Sequence, residues 1–231
     1  MSQVSMSRAD LLLACQWWVG REGPPEKPGR AAVFGTAVHA AVANGFLGLR
    51  SNESPEAEER AGAIRSALLD YFREEGWEGK LLIERSVAVL PSSRLPGRFI
   101  SAPDAAHVYL DALPGELPGT VDLAVDGKDL LVLDHKTGKL PAEGGQLKSL
   151  AVALARPEHG RIVVGYVHAP WGKKVRIHPA EASREELAEH RWRLALALAG
   201  VGIAGPTPGE HCKALYCPAR FSCPVGPDKY V

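Results

Sequence analysis

Apolar residues recur along this chain with two spacings, and the spacing that prevails in a segment predicts its secondary structure. Spacings of three and four residues are typical of amphipathic helices, whereas alternation or short unbroken apolar runs are typical of strands. Two apolar runs in the segment 118–136 flank Asp126-Gly127, which predicts a hairpin. We also predict a short helix from Ser7 or Asp10 through Trp18, helices at 35–47, 56–75, 143–155 and 183–199, strands at 80–90, 161–168 and 173–178, and a strand or excursion at 106–113.

The order of these elements predicts the fold class. Helices come first, followed by a strand and the hairpin, a crossover helix, two further strands and a last helix. This order favours an α/β fold with a mixed central sheet flanked by helices. At 231 residues we expect one domain spanning 1–231, ending in a Pro- and Cys-rich tail from Gly205 that has no periodicity.

Composition and charge restrict the function classes. No apolar stretch approaches the roughly 18 residues of a membrane span, and we find no signal peptide, so we expect a cytoplasmic protein without membrane contact. The net charge of zero weighs against a strongly basic nucleic-acid surface, although local patches matter more than sums. Arg85, Arg94 and Arg98 are either ordinary surface charges or phosphate contacts. No P-loop is present, which argues against a helicase motor.

The end of the hairpin carries the strongest candidate chemistry. Residues two apart in a strand point the same way, so Asp134 and Lys136 share a face. Asp122 joins them only if the turn has an odd length, with Gly127 taking a positive φ in a three-residue loop, or if a strand carries a bulge. Two carboxylates and a lysine suit Mg²⁺ or Mn²⁺ and metal-assisted attack of water on a phosphodiester. A simple Asp–Lys ion pair closing the sheet end fits the same spacing.

The four cysteines are the second candidate site. Cys15 lies near the start of the chain, and Cys212, Cys217 and Cys223 crowd into the tail. Their C-x₄-C-x₅-C spacing is not a usual zinc-finger pattern, so free core thiols remain an alternative to metal ligands. A Pro-rich tail without apolar periodicity is, however, poorly explained as core.

The sequence "GTVDLAV…LLVLDHKTGK" resembles the RecB-like branch of the PD-(D/E)XK nuclease superfamily, in which a Gly-x-x-Asp strand precedes an apolar strand ending in D/E-x-K-T/S-G. "FGTAVHAAV" is similar to the G-T-x-x-H helix of that branch, with His39 as its histidine. The branch also carries Q-x-x-x-Y on a later helix. Gln146 matches the glutamine, but Leu150 stands where the tyrosine belongs.

This resemblance implies a restriction-endonuclease-like core and a set of roles. Asp122, Asp134, His39 and the main-chain carbonyl of His135 would bind the metal. Lys136 would orient or activate the attacking water, and Gln146 would hold Lys136 or the substrate. We expect the His135 side chain on the other face of its strand and assign it no role.

The cysteines are similar to those of a subset of this branch, the CRISPR-associated exonucleases among them. Those proteins hold a [4Fe–4S] cluster with one N-terminal and three C-terminal cysteines, so the cluster joins the chain ends. The resemblance implies that Cys15, Cys212, Cys217 and Cys223 clasp the termini (about 7–30 and 205–226) into a helical and irregular subdomain, with zinc as the alternative.

We therefore expect a metal-dependent DNA nuclease, an exonuclease on single strands or DNA ends. One alternative is a RecB-like subunit that binds DNA or a partner without cutting, in a recombination, repair, CRISPR-adaptation or phage complex. Leu150 and the zero net charge favour this alternative, and the intact set of Asp122, Asp134 and Lys136 argues against it. A zinc-clasped scaffold with an incidental D-x-K is a third interpretation.

Overall fold

The computed structural model describes residues 3–21, 29–103, 109–141 and 144–207, together with residue 212 and residues 217–219 and 222–224. Six strands form one mixed sheet: β1 (Gly79–Val89), β2 (Arg98–Phe99), β3 (Leu117–Gly127), β4 (Leu130–Lys136), β5 (Ile162–His168) and β6 (Arg176–Glu181). Their order in the sheet is β2-β1-β3-β4-β5-β6. The β4–β5 pair is parallel and every other pair is antiparallel.

Five α-helices cover the two faces of this sheet: α1 (Ala9–Ala14), α2 (Arg30–Phe46), α3 (Pro55–Glu75), α4 (Gly145–Leu154) and α5 (Arg184–Ala199). Helices α2 and α3 pack on one face, where Val38, Ile64 and Leu68 meet Leu131 and Leu133. Helices α1, α4 and α5 pack on the other, where Leu12, Leu150, Leu194, Val132 and Val164 form a second cluster. The central strand β4 is therefore buried on both faces, as its apolar run predicts.

The α/β fold class expected from the element order is confirmed, with a mixed sheet between helices. Most predicted elements lie within a few residues of the observed ones. The two-residue strand β2 was not predicted, and β6 begins three residues later than expected. Of the predicted excursion at 106–113, the part from Tyr109 onward forms turns, and the rest lies outside the described residues. Within the described chain, no helix combines the length and apolarity needed to cross a membrane.

Candidate metal centre

The candidate centre lies where β3 and β4 separate. The two strands pair from Asp126–Leu130 to Leu123–Leu133, and their turn contains three residues, the odd length that a shared face requires. Beyond Leu133 the main-chain pairing of the two strands ends. The N–H of His135 instead donates to a side-chain oxygen of β3, Asp122 Oδ2, at 2.8 Å. Asp122 thus fills the cleft between the separating strands.

The prediction of a positive φ at Gly127 is wrong. The positive-φ glycines include Gly79, directly opposite in β1, but not Gly127. A Cβ on Gly127 would clash with the main-chain carbonyl of Glu78. Glycine is required here because two backbones approach closely, rather than because the turn needs a left-handed residue.

Helix α2 brings His39 to this cleft. Gly35, one turn earlier, lets the helix approach β4, since a Cβ there would lie 3.1 Å from Thr137 Oγ1. His39 Nε2–H donates to the carbonyl of His135 at 2.9 Å, and His39 Nδ1 lies 3.3 Å from Asp122 Oδ2. The hydrogen bond to the carbonyl fixes the ring and directs Nδ1 toward the carboxylate.

The environments of His39 and Asp122 favour their charged forms. Burial works against the charge on His39, but the hydrogen bond and the negative charge of Asp122 outweigh it and raise the pKa of His39 to about 9. Burial likewise opposes ionisation of Asp122, but His39 and the N–H of His135 lower its pKa to about 2. An imidazolium–carboxylate pair is therefore the stable form at neutral pH.

Asp134 and Lys136 lie beside this pair on the next strand. Lys136 Nζ is 2.6 Å from Asp134 Oδ2, and Asp134 is only 1% exposed. Burial, followed by the charge of Asp122, raises the pKa of Asp134 to about 6, although Lys136 acts in the opposite direction. Asp134 follows Leu133, the partner of Leu123, so the register brings Asp134 next to Asp122 at the separating strand ends.

The side chain of His135 lies, as expected, on the other face of β4 from Asp134, on the side of Leu131, Leu133 and helix α2. It lies on the same side as Asp122, with Nδ1 3.9 Å from Asp122 Oδ2, and its ring meets that of His39 edge to face at 5.5 Å. Potential ligand atoms of His39, Asp122 and His135 all lie within 4.8 Å of one another. Burial lowers the pKa of His135 to about 4, so its ring is neutral. Asp134 is outside this group of three.

Glu84 is a member of the centre that the sequence analysis missed. It lies in β1 between Ile83 and Arg85, which pair with Leu123 and Val121, so it is opposite Asp122. Its φ of 46° is the only positive value among the described non-glycine residues. Although the residue is exposed, desolvation of its carboxylate and the charge of Asp122 raise its pKa to about 7. An acid in an alternating strand is too common in sequences to have indicated this position.

Gln146 and Lys136 line one cavity of about 270 Å³, which also contains Tyr166 and Arg8. Leu150, at the position of the expected tyrosine, is instead buried in the core at 1% exposure. Tyr166 lies on β5 directly beside Asp134. Burial, together with the charges of Asp134 and Asp10, raises the pKa of Tyr166. A tyrosine thus reaches this cavity from a different element than the sequence motif suggests.

The four cysteines belong to two segments that approach each other, since the Ser222 hydroxyl donates to the carbonyl of Arg21, but whether they share a ligand stays a prediction. Cys15, Cys217 and Cys223 are buried, and Cys212 is half-buried. Burial raises the pKa of Cys217, and the other three thiols contribute to the same shift because they lie near it. Among the described residues, however, no three of these sulfurs lie within 4.8 Å of one another.

Comparison with known proteins supports the fold. The chain matches the PD-(D/E)XK nuclease superfamily over residues 3–224. Among proteins of curated function, none matches. A solved structure titled "Crystal structure of SSO0001" is 15% identical, aligned over 86% of this chain and 88% of that one, with a TM-score of 0.36.

Proposed function

Since the chain belongs to the PD-(D/E)XK nuclease superfamily, we propose that it is a divalent-metal-dependent deoxyribonuclease acting at this centre. Membership implies a phosphodiester hydrolase that uses divalent ions. The finer assignment to DNA, and to single strands or ends, rests on the resemblance to the RecB-like branch. The roles proposed for the individual residues come from the same resemblance, and the geometry supports them.

The residues fit a divalent cation. Three acidic side chains, Glu84, Asp122 and Asp134, interact electrostatically. The charge of Asp122 helps to raise the pKa values of Glu84 and Asp134, while Asp122 itself stays ionised beside His39. Such a cluster is stable only with compensating positive charge. Asp122, Asp134 and His39 would hold the ion. When bound, it supplies the charge that activates water and stabilises the phosphodiester transition state.

Lys136 is positioned to act on the attacking water. Its ammonium is held by Asp134 at 2.6 Å and remains about a quarter exposed, so it can also reach a solvent molecule or a phosphate oxygen. Gln146 faces the same cavity, where its amide can orient Lys136 or the substrate. A fixed cation next to a reacting phosphate stabilises the negative charge that develops during hydrolysis.

One observation carries the proposal: the contacts that hold Asp122 and the Asp134–Lys136 ion pair occur together at the point where β3 and β4 separate. Asp122 is held by the N–H of His135 at 2.8 Å and by His39 at 3.3 Å. The Asp134–Lys136 pair lies next to it on β4. An incidental surface ion pair would be exposed to solvent, whereas Asp122 and Asp134 are both buried.

The proposal is tested with Asp134→Asn and Lys136→Ala variants. We expect each to reduce Mn²⁺-dependent cleavage of labelled DNA by about 10²- to 10³-fold, because each removes a charge from the reacting region. Lys80→Ala, at the opposite end of the sheet, is the matched control and should retain full activity. Circular dichroism monitors folding. Undiminished cleavage by both variants would contradict the assignment, and a wild-type protein that binds DNA without cutting it would favour the non-cleaving alternative.

We further propose that the enzyme is an exonuclease. A linear single strand and its covalently closed circular form have the same bases and differ only in ends. Rapid loss of the linear strand with survival of the circle is expected. Equal cleavage of both would indicate an endonuclease.

For the cysteines we propose a [4Fe–4S] clasp that joins the chain ends. Four thiolates on a single tetrahedral zinc lie roughly 3.8 Å apart, given Zn–S bonds of about 2.3 Å. Among the described residues, no three of these sulfurs lie within 4.8 Å of one another. A cluster whose thiolates bind separate irons suits wider spacing. Absorbance near 400 nm in anaerobically purified protein distinguishes the cluster from zinc. We place the enzyme in DNA recombination, repair, CRISPR adaptation or phage replication by the same resemblance.

A further inference from the structure

We propose that the imidazole of His135 is a further metal ligand beside His39 and Asp122, so that the site has two imidazoles in addition to its carboxylates and prefers Mn²⁺ to Mg²⁺. This inference rests on the proposed function for the presence of a divalent ion at the centre. It assigns the side chain of His135 a role that the family resemblance gives to its main-chain carbonyl.

The first argument is the burial of an unpaired ring. His135 is 2% exposed, and within the described part of the chain neither of its ring nitrogens has a hydrogen-bond partner. A buried polar group without a partner costs about 1–3 kcal/mol, so native proteins rarely leave one unsatisfied. An ion bound by the ring would remove this cost.

The second argument is the direction of the ring. His135 Nδ1 lies 3.9 Å from Asp122 Oδ2, and His39 Nδ1 lies 3.3 Å from the same oxygen. Ligand atoms that share one ion at about 2.1 Å are separated by roughly 3 to 4 Å. Both distances fall in that range, and candidate ligand atoms of all three residues lie within 4.8 Å of one another.

The third argument is the support around the ligands. The carbonyl of His135 accepts a hydrogen bond from His39 Nε2–H, which leaves Nδ1 of His39 as the ligand atom. The N–H of His135 holds Asp122 Oδ2. Such secondary hydrogen bonds orient metal-binding side chains and fix their tautomers. The main chain of residue 135 thus organises the other two ligands, and its side chain supplies the third.

The ligand set determines the metal. Mg²⁺ requires oxygen ligands and retains several waters, whereas imidazole nitrogen suits first-row transition ions. A site with two imidazoles should therefore bind Mn²⁺ in preference to Mg²⁺. An all-oxygen site built from Asp122 and Asp134 would show little preference.

The test is pulsed electron paramagnetic resonance of Mn²⁺ bound to the whole protein, which counts nitrogen ligands without relying on activity. Two ¹⁴N couplings are expected in the wild type and one in His135→Leu, whose apolar side chain suits the buried position. His178→Gln, an exposed histidine on β6, is the control and should keep both couplings. Competition titrations with Mg²⁺ should show at least a tenfold loss of Mn²⁺ preference in His135→Leu.

Two results would overturn the inference. One is a wild-type spectrum with fewer than two ¹⁴N couplings, which needs no variant and holds even if His135→Leu fails to fold. The other is a folded His135→Leu protein with unchanged couplings and unchanged metal preference. Failure of the proposed function is distinguishable, because a protein with two nitrogen ligands that never cleaves DNA keeps this inference and loses the nuclease assignment.

Discussion

At the scale of single residues, the centre holds groups whose burial and conformation cost free energy. Glu84 combines two such costs. A non-glycine residue at φ 46° is in the left-handed region, which costs about 1–2 kcal/mol. Its carboxylate also lies beside Asp122, which raises its pKa. Strained residues that persist in folded proteins cluster at functional sites, which fits the position of Glu84 at this centre.

Replacing Glu84 should therefore affect stability and activity in opposite directions. We expect Glu84→Gly to increase the free energy of unfolding by about 1 kcal/mol, because glycine adopts the positive φ without strain. The same change should lower Mn²⁺-dependent cleavage, because a carboxylate is lost from the centre. Urea denaturation and a nuclease assay measure the two effects.

Glu84→Gln separates strain from charge. It keeps the strained backbone and removes the negative charge, so it should lose activity with a smaller gain in stability than Glu84→Gly. A Glu84→Gly protein that is less stable than the wild type would contradict this account of the strained residue.

At the scale of elements, the helices opposite the centre are joined by a buried polar contact. Ser149 on α4 lies with its Oγ 3.0 Å from His190 Nε2 on α5, and the Ser149 hydroxyl donates to the carbonyl of Gly145. Both residues are buried. Burial, followed by the charges of Lys148 and Arg193, lowers the pKa of His190 to about 4. Since the Ser149 hydroxyl proton is used on Gly145, His190 Nε2–H donates to Ser149 Oγ, and it is burial that keeps the histidine neutral.

This contact predicts a loss of stability in mild acid. Histidine in the unfolded chain binds a proton near pH 6.5, while folded His190 stays neutral down to about pH 4. The unfolded state thus binds more protons in this window. The contribution of His190 to the free energy of unfolding therefore falls by up to roughly 3 kcal/mol as the pH drops from 6.5 to 4. Below pH 4 the effect levels off.

Two variants isolate the contribution of His190 in thermal unfolding measured from pH 7.5 to 4.5. His190→Asn should be less stable than the wild type at pH 7.5, and the difference should shrink as the pH falls. Ser149→Ala should lose about 1 kcal/mol at neutral pH and keep the acid sensitivity of the wild type. A constant difference between His190→Asn and the wild type would show that another group causes the acid sensitivity.

At the scale of the whole molecule, the chain ends meet beside the core. Cys15 follows α1, and the described residues of the tail return to it, with the Ser222 hydroxyl donating to the main-chain carbonyl of Arg21 at 3.2 Å. The buried residues Cys217 and Ala219 join the cluster on the α4–α5 face. A group bound by the four thiols would tie together segments about two hundred residues apart in sequence.

Breaking this clasp should destabilise the entire fold. We expect Cys15→Ser, in protein prepared anaerobically, to lower the melting temperature by roughly 10 °C and to abolish absorbance near 400 nm, because a bound cluster stabilises only the folded chain. Ser222→Ala removes one hydroxyl, which lies 3.2 Å from the carbonyls of both Arg21 and Ala219, and should cost no more than about 1 kcal/mol. Equal melting temperatures for Cys15→Ser and the wild type would show that no group clasps the termini.

The periodicity of the chain by itself determined most of the fold, because helix and strand periods are local properties. It located the helices α2, α3, α4 and α5 and the β3–β4 hairpin to within a few residues in most cases. Spacing placed Asp134 and Lys136 on one face, since alternation along a single strand needs no long-range information. That the four cysteines hold one group stays a prediction.

Only the tertiary structure decided which groups surround Asp122. Glu84 was missed, and the approach of Asp122 to the ring of His135 was not expected, because strict alternation along β1 and β3 was assumed. Val121 and Leu123, two residues apart, pack on opposite faces of the sheet, so alternation breaks at Asp122. That break arises where β3 separates from β4 and where β1 turns through a positive φ. Both depend on contacts between strands distant in sequence, and no local pattern encodes them.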